Sequence, residues 1–433
     1  MATVTKVDVG AVAARAMALR YREVRAMTES LGAPLSPEDQ MVQSCLEASP
    51  VKWHRAHTTW FFETFLLAPH SPGYRTLDNR FRFLFNSYYN NVGERPERTT
   101  RGMMSRPSAH DVARYRQHVD DAMERLLAET DDPQVVELVE LGLNHEQQHQ
   151  ELIVTDIKHA FWTNPLRPAY WPAKQPGKQP AAPFSWKEHG GGVVEIGHAG
   201  PGFAFDNEAP RHRVFLEPYA LASRLVTNHE YLEFIADGGY RTPTLWLSEG
   251  WDTVRANGWR APLYWEERDA EWLAFTSSGV KPLDVDEPVC HLSYFEADAY
   301  ARWRGARLGT EFEWEHAATR EPISGNFVES QQLHPRAAQT AESQIFGDCW
   351  EWTSSSYAPY PGFRAAEGAL GEYNGKFMCN QYVLRGGSCA TPQSHIRPSY
   401  RNFFPAQTRW QFSGIRLAQD LIAKPKSGGV HGR

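Results

Sequence analysis

Residues 164–185 read NPLRPAYWPAKQPGKQPAAPFS, and this stretch divides the chain. Proline at 165, 168, 172, 176, 180 and 183 removes backbone donors and resists helix, so the stretch reads as a linker or an extended strap. Upstream, over residues 1–163, apolar positions recur at helical spacing. Val9, Val12, Ala13, Ala16, Leu19, Val24 and Met27 predict a helix over 9–30. Ser49 as cap with Pro50 behind it predicts a second, running through VKWHRAHTTWFFETFLL and stopping near Pro69. Ser108 caps a third over 109–129, and Asp132-Pro133 opens a fourth that runs towards Phe161. Four long helices make a bundle the natural architecture. The loop 70–107 exceeds what a connector needs and carries Gly, Pro, Asn and several Arg, the composition of a functional loop.

Downstream, residues 186–433 change character. Eleven of the 15 tryptophans lie here, among short β-like runs: GGVVEIG (191–197), HRVFLEPYALA (212–222) and YVLRGGS (382–388). Two helical pieces stand out, Thr227–Asp237 and Ser293–Trp303. Aromatic burial orders long loops, which accounts for an aromatic content of 12%. The fold class expected is α+β, a helical bundle followed by a domain of short strands and much irregular structure.

Composition excludes several functions. With 433 residues and 41% hydrophobic content, the chain has the material for real cores and is not mainly disordered. Net charge is -7, the pI is near 6.2, and no Lys/Arg run stands out, so no nucleic-acid partner is expected. No apolar run of membrane-spanning length occurs. The first 24 residues, broken by Asp and Arg, make a poor signal peptide. Five scattered cysteines argue against a disulfide framework, and the location expected is cytoplasmic.

The chemistry concentrates in NHEQQHQE, residues 144–151. His145 and His149 stand at i and i+4, so both imidazoles project from one helix face, a spacing that suits two ligands of one metal ion. The same spacing also arises on polar helices that bind nothing. HEQQH satisfies the pattern of zinc peptidases, with Glu146 as general base, but QELIVTD supplies none of the expected downstream ligands. A third imidazole is available upstream in WHRAHTTW, from His54 or His57. One ligand from one bundle helix can meet a pair on another, and three imidazoles on one face leave the opposite face open for substrate and oxygen, as suits Fe(II). Spacing alone prefers neither His54 nor His57.

Together, WHRAHTTWFFE, NHEQQHQE, FGDCWEWTSSSY, VLRGGSC and RNFFPAQTRWQFSGIRLA resemble the ergothioneine-type sulfoxide synthases, over nearly the whole chain and in order. The resemblance implies a DinB-like four-helix domain over 1–163 and, after the 164–185 linker, a formylglycine-generating-enzyme-like domain of C-type-lectin-like fold over 186–433. It implies Fe(II) held by His57, His145 and His149, His57 being preferred for its A-H-T context. It implies that Gln148 contacts the imidazole of hercynine, and that O2 and a thiol join there in oxidative C–S bond formation. One branch of the family places active-site tyrosines in the loop where Tyr88 and Tyr89 stand here, although a YY pair by itself more often packs than donates protons. Another branch uses a tyrosine of the second domain, for which Tyr360 and Tyr373 rank lower.

Substrate chemistry names further candidates. Hercynine carries a quaternary ammonium, which aromatic faces recognise. Its carboxylate, and the thiol's, want Arg. Arg95, Arg98 and Arg101 follow the tyrosines at three-residue spacing, and Arg98 is the first choice. Asn402, Phe403, Phe404, Arg409 and Trp410 complete the set. Where the γ-glutamylcysteine branch shows N-W-D and a later Arg, this chain has N-F-F and Thr408. That departure points to cysteine as donor, with a selenosugar the alternative. The paired cysteines of formylglycine-generating enzymes are not expected, since the nearest Cys to Cys389 is Cys379, ten residues away. Cys349 and Cys379 are expected as buried small hydrophobes. A lectin-like binding module on a helical bundle is the non-enzymatic reading.

Overall fold

The computed structural model describes residues 9–171, 179–340, 344–365 and 367–421. Four long helices form the first half: α1 (Val9–Gly32), α2 (Val51–Phe62), α3 (Ala109–Glu129) and α4 (Pro133–Thr163). α1 packs on α3 and α4, and α2 on α3 and α4. Capping explains two starts. The Ser108 hydroxyl accepts the Asp111 N–H while the Asp111 carboxylate accepts the Ser108 N–H, and Asp132 caps α4 with Pro133 in its first turn. Ser49 does not cap α2. Its N–H donates to Asp156 and its hydroxyl accepts from Arg101, so Pro50 stands at the cap position without a side-chain bond.

Every residue of α2 is buried, polar ones included, so this helix is the centre of the bundle. It continues through a π-helical turn, Glu63–Leu67, whose Glu63 accepts the hydroxyls of Tyr74 and Tyr115. α4 reaches α2 closely at Gly142, where a Cβ would meet the Phe62 ring at 2.7 Å and the Phe61 ring at 3.0 Å.

Of the 164–185 stretch, residues 172–178 lie outside the described residues. Its flanks are tied to the second half: the Tyr170 and Trp171 N–H groups both donate to the Ser277 carbonyl, and Ala182 N–H to the Ala338 carbonyl. The second half holds two four-stranded sheets. One orders Trp186–His189, Tyr219–Ala222, Leu417–Asp420 and Arg307–Leu308; the other orders Asn402–Pro405, Gln381–Arg385, Trp350–Ser356 and Ser413–Gly414. The helices Asn228–Ala236 and Tyr294–Trp303 carry capping boxes from Thr227 and Ser293. Trp350 and Trp352 are fully buried, consistent with cores built on aromatics. The class is α+β: a helical region followed by a strand-rich, C-type-lectin-like domain. Among the described residues no helix is long and apolar enough to cross a membrane.

The halves share a core. Leu31, Val51, Ile153, Val154 and Ile157 of the bundle pack in one apolar cluster with Tyr264, Phe275, Cys290, Cys349, Cys389 and Phe412. Glu151, on α4, reaches across and accepts from Trp350 Nε1, Ser388 Oγ and Thr391 Oγ1, each at 2.7 Å. These contacts, with those of Asn144, Gln147 and Gln148, seat the second half on the face of α4 next to the one that carries the histidines.

Candidate metal centre

α2 contributes His57, and α4 contributes His145 and His149. One ring nitrogen from each lies within 4.8 Å of the other two, the spacing of ligands around one ion. The ring centroids are 4.7–5.0 Å apart. His57 and His145 are buried.

Hydrogen bonds settle which nitrogens are open. A carbonyl oxygen only accepts, so the contact of His57 Nδ1 with the Phe85 carbonyl, 2.6 Å, puts the proton on Nδ1 and leaves Nε2 with a lone pair. His149 is wired through His54. The Asp156 carboxylate accepts from His54 Nε2 at 3.0 Å, so His54 Nδ1 carries the lone pair. That nitrogen lies 2.8 Å from His149 Nδ1, which therefore donates and leaves its own Nε2 open. His54 thus stands behind the triad as the partner of His149, which separates it from His57 where spacing could not.

Electrostatics agree. Burial, reinforced by His145 and by the nearby Arg101 charge, holds His57 well below the usual imidazole range. Burial and the neighbouring imidazoles do the same for His149, and burial pulls His145 down to about 4. Three neutral imidazoles with open nitrogens fit a divalent first-row ion and leave coordination positions free.

The loop between α2 and α3 lies against this centre. Besides the Phe85 carbonyl it brings Arg101, which is 3% exposed. The Arg101 guanidinium sits 3.5 Å over the Trp53 ring, and Trp53 stacks on His57 at 4.6 Å. Only the Ser49 and Ser87 hydroxyls hold it, and no carboxylate pairs with it among the described residues. Burial therefore lowers it to about 9. Arg98 is more exposed; it donates to Tyr88 Oη at 2.8 Å and to the Glu47 carbonyl. Arg95 is exposed. Arg98 was the first choice in the sequence, but the buried cation beside the imidazoles is Arg101. The two tyrosines part: Tyr88 faces Tyr373 and Phe377 of the second half, while Tyr89 is buried against Trp60 and Phe65. The second half clasps this loop, since Lys376 donates to the Tyr88 carbonyl and Glu372 accepts the N–H groups of Asn90 and Asn91.

Gln148 donates from Nε2 to Tyr400 Oη at 2.9 Å. Phe403 joins Tyr88, Tyr373, Phe377 and Tyr357 in one aromatic cluster, stacking on Tyr357 at 4.1 Å. Asn402 turns its carboxamide to its own strand, accepting the Phe403 N–H. Phe404 and Trp410 pack edge to face. Arg409 is not free for substrate: it pairs with buried Glu296 at 3.0 Å and lies over Trp259. Tyr360 is likewise a structural residue, between Arg385, Glu311 and Arg401. The sequence left His54 open and did not single out Asp156, Tyr400 or His395, which only their residue types near the motifs signalled.

The peptidase alternative loses its geometry. Glu146 points away from the imidazoles into a network with Arg25, Arg116 and Thr28, at 2.8, 3.0 and 2.7 Å. Burial alone would raise its pKa, but the two arginines outweigh that and hold it below the usual carboxylate range. A carboxylate so bound is no general base for a peptidase. Cys349 is buried as expected, but Cys379 is exposed.

A sequence profile of the sulfatase-modifying factor enzyme 1-like domain matches residues 188–345 and 341–421. The hercynine oxygenase of Mycobacterium tuberculosis is 36% identical over 254 residues, 53% of this chain and 59% of that protein. The hercynine oxygenase of Mycolicibacterium thermoresistibile is 32% identical over 423 residues, 86% of this chain and 88% of that protein. Ergothioneine biosynthesis protein 1 of Schizosaccharomyces pombe is 32% identical over 232 residues, 50% of this chain and 28% of that protein.

Proposed function

Because the chain belongs to the ergothioneine sulfoxide synthase family, we propose that it joins the sulfur of a thiol, cysteine, to imidazole C2 of hercynine and oxidises that sulfur to the sulfoxide. The balance is one ring C–H, one S–H and one O2 giving one C–S bond, one S=O and one water. His57, His145 and His149 would hold Fe(II), which when bound supplies the redox chemistry that couples O2 to this bond formation.

The remaining work falls to the chain. The Phe85 carbonyl and the His54–Asp156 pair keep two imidazoles neutral and oriented. Arg101, a buried cation that lacks a carboxylate, takes a substrate carboxylate, and Arg98 supports it from the rim. The Tyr88 hydroxyl accepts from Arg98, so its own hydrogen is available as a proton source. Tyr89, in the core, packs. Gln148 meets the imidazole ring, and the aromatic cluster around Phe403 offers its faces to the quaternary ammonium. Cysteine is favoured over a larger thiol because Phe403 and Phe404 bring no acid, while the Thr408 hydroxyl donates to the Pro405 carbonyl.

The observation that carries this reading is the convergence of three imidazoles, two of them with assigned open nitrogens. Anaerobic titration with Fe(II), then oxygen uptake with hercynine plus cysteine and mass analysis of the product, tests it. Hercynyl-cysteine sulfoxide is the expected product. Indifference to Fe(II) ends the proposal, and turnover only with a selenosugar reassigns the donor.

A further inference from the structure

The position of Gln148 rests on a chain of bonds whose directions are all determined. It begins at the Glu140 carbonyl, which can only accept, so Asn144 donates from Nδ2 at 2.9 Å and turns Oδ1 outward. Asn144 Oδ1 lies 3.1 Å from His395 Nδ1, which must therefore carry the ring proton. His395 Nε2 then has a lone pair, and Tyr400 Oη at 3.0 Å donates to it. With its hydrogen committed, Tyr400 can only accept from Gln148, at 2.9 Å, through Nε2. The amide nitrogen is thereby directed at Tyr400, and Oε1 is the atom left to offer elsewhere. Burial, with Arg397 beside it, keeps His395 neutral, so its ring holds one proton.

We propose that Asn144, His395 and Tyr400 are positioning residues that lock the Gln148 amide with Oε1 towards the substrate ring, so that the site selects an imidazole that donates N–H there. This rests on the reading that Gln148 faces hercynine. The second half thus contributes to ring recognition by fixing the sense of a hydrogen bond made by the first half. Either flip of the Gln148 amide fills the same space, and only the chain from Glu140 distinguishes them.

The test is binding without turnover, on Fe(II)-loaded protein under anaerobic conditions and without thiol. Affinities are measured for hercynine and for its two ring-N-methyl isomers, which have no N–H to donate. Wild-type protein should bind the better isomer at least about tenfold more weakly than hercynine. Tyr400→Phe releases the amide, which can then turn Nε2 to the ring, and the ratio should collapse towards one. His395→Phe takes away the acceptor of the Tyr400 hydroxyl, which can then donate to Gln148 Oε1, and the preference should reverse. His395→Gln, with a donor and an acceptor in the same sense, should restore the wild-type ratio. Gln148→Ala separates the two ideas: unchanged hercynine affinity refutes the placement of Gln148 itself. If Gln148→Ala weakens hercynine while Tyr400→Phe and His395→Phe keep the wild-type ratio, the locking is refuted, whatever happens to their melting temperatures.

Discussion

His54→Ala probes the wiring of the centre most directly. The substitution removes the acceptor of the His149 Nδ1 proton and takes from Asp156 the donor that reached it at 3.0 Å. Asp156 keeps the Ser49 N–H at 2.8 Å but stays buried with one donor fewer. Leaving a buried carboxylate short of a donor costs about 1–3 kcal/mol of stability in the metal-free protein. The metal term is separate. Without its partner, His149 can carry its proton on either nitrogen, and loss of such a partner weakens metal affinity about 10–100-fold, roughly 1.4–2.8 kcal/mol. Anaerobic competition against a chromophoric chelator reads the affinity, and calorimetry of the metal-free protein reads the stability. His54→Gln, which can accept from His149, should recover most of the affinity. Unchanged affinity in His54→Ala refutes the wiring, and complete loss of binding makes His54 itself a ligand.

Further outcomes are expected. Since His145 is lowered to about 4, the unfolded chain binds more protons than the fold between that value and 6.5; this group alone should take about 3 kcal/mol from metal-free stability as pH drops through the window, and His57 and His149 add to the fall, read by denaturant titration at each pH. Arg101→Met should raise KM for the carboxylate-bearing substrates about tenfold or more, with iron retained in metal analysis; an unaltered KM would shift the anchor to Arg98. Glu151→Ala strands three donors and should cost about 3 kcal/mol or more, seen as proteolysis between the halves, while Glu151→Gln keeps the oxygen facing Trp350 and Ser388 and should cost little. Gly142→Ala gains about 1 kcal/mol of helix propensity but drives a methyl into the Phe62 and Phe61 rings, both fully buried; a net loss of about 1–2 kcal/mol is expected in thermal unfolding.

The division of the chain was legible because composition shifts at a proline-rich stretch, and the caps at Ser108 and Asp132 announced their helices locally. Ser49 misled because its two polar groups are claimed by Asp156 and Arg101, both distant in sequence. The i, i+4 pair on α4 could be read from helix geometry alone. The choice between His54 and His57 could not, since three residues apart on a helix buried on all sides leaves both facing protein. Arg95, Arg98 and Arg101 pose the same problem: which of them is buried depends on how the loop folds over Trp53. Arg409 looked available because nothing in its neighbourhood names Glu296 as its partner. The HEQQH pattern specified spacing and said nothing of which way Glu146 turns.

Asp156 accepts two protons' worth of structure on one oxygen: the Ser49 N–H at the entry of α2 and the His54 ring behind His149. Ion capture and the seating of that helix entry are therefore thermodynamically linked. Filling the centre should slow deuterium uptake at the Ser49 amide, and by reciprocity any strain on the chain just before α2 should loosen the ion. An amide with no ligand of its own thus becomes a gauge of occupancy.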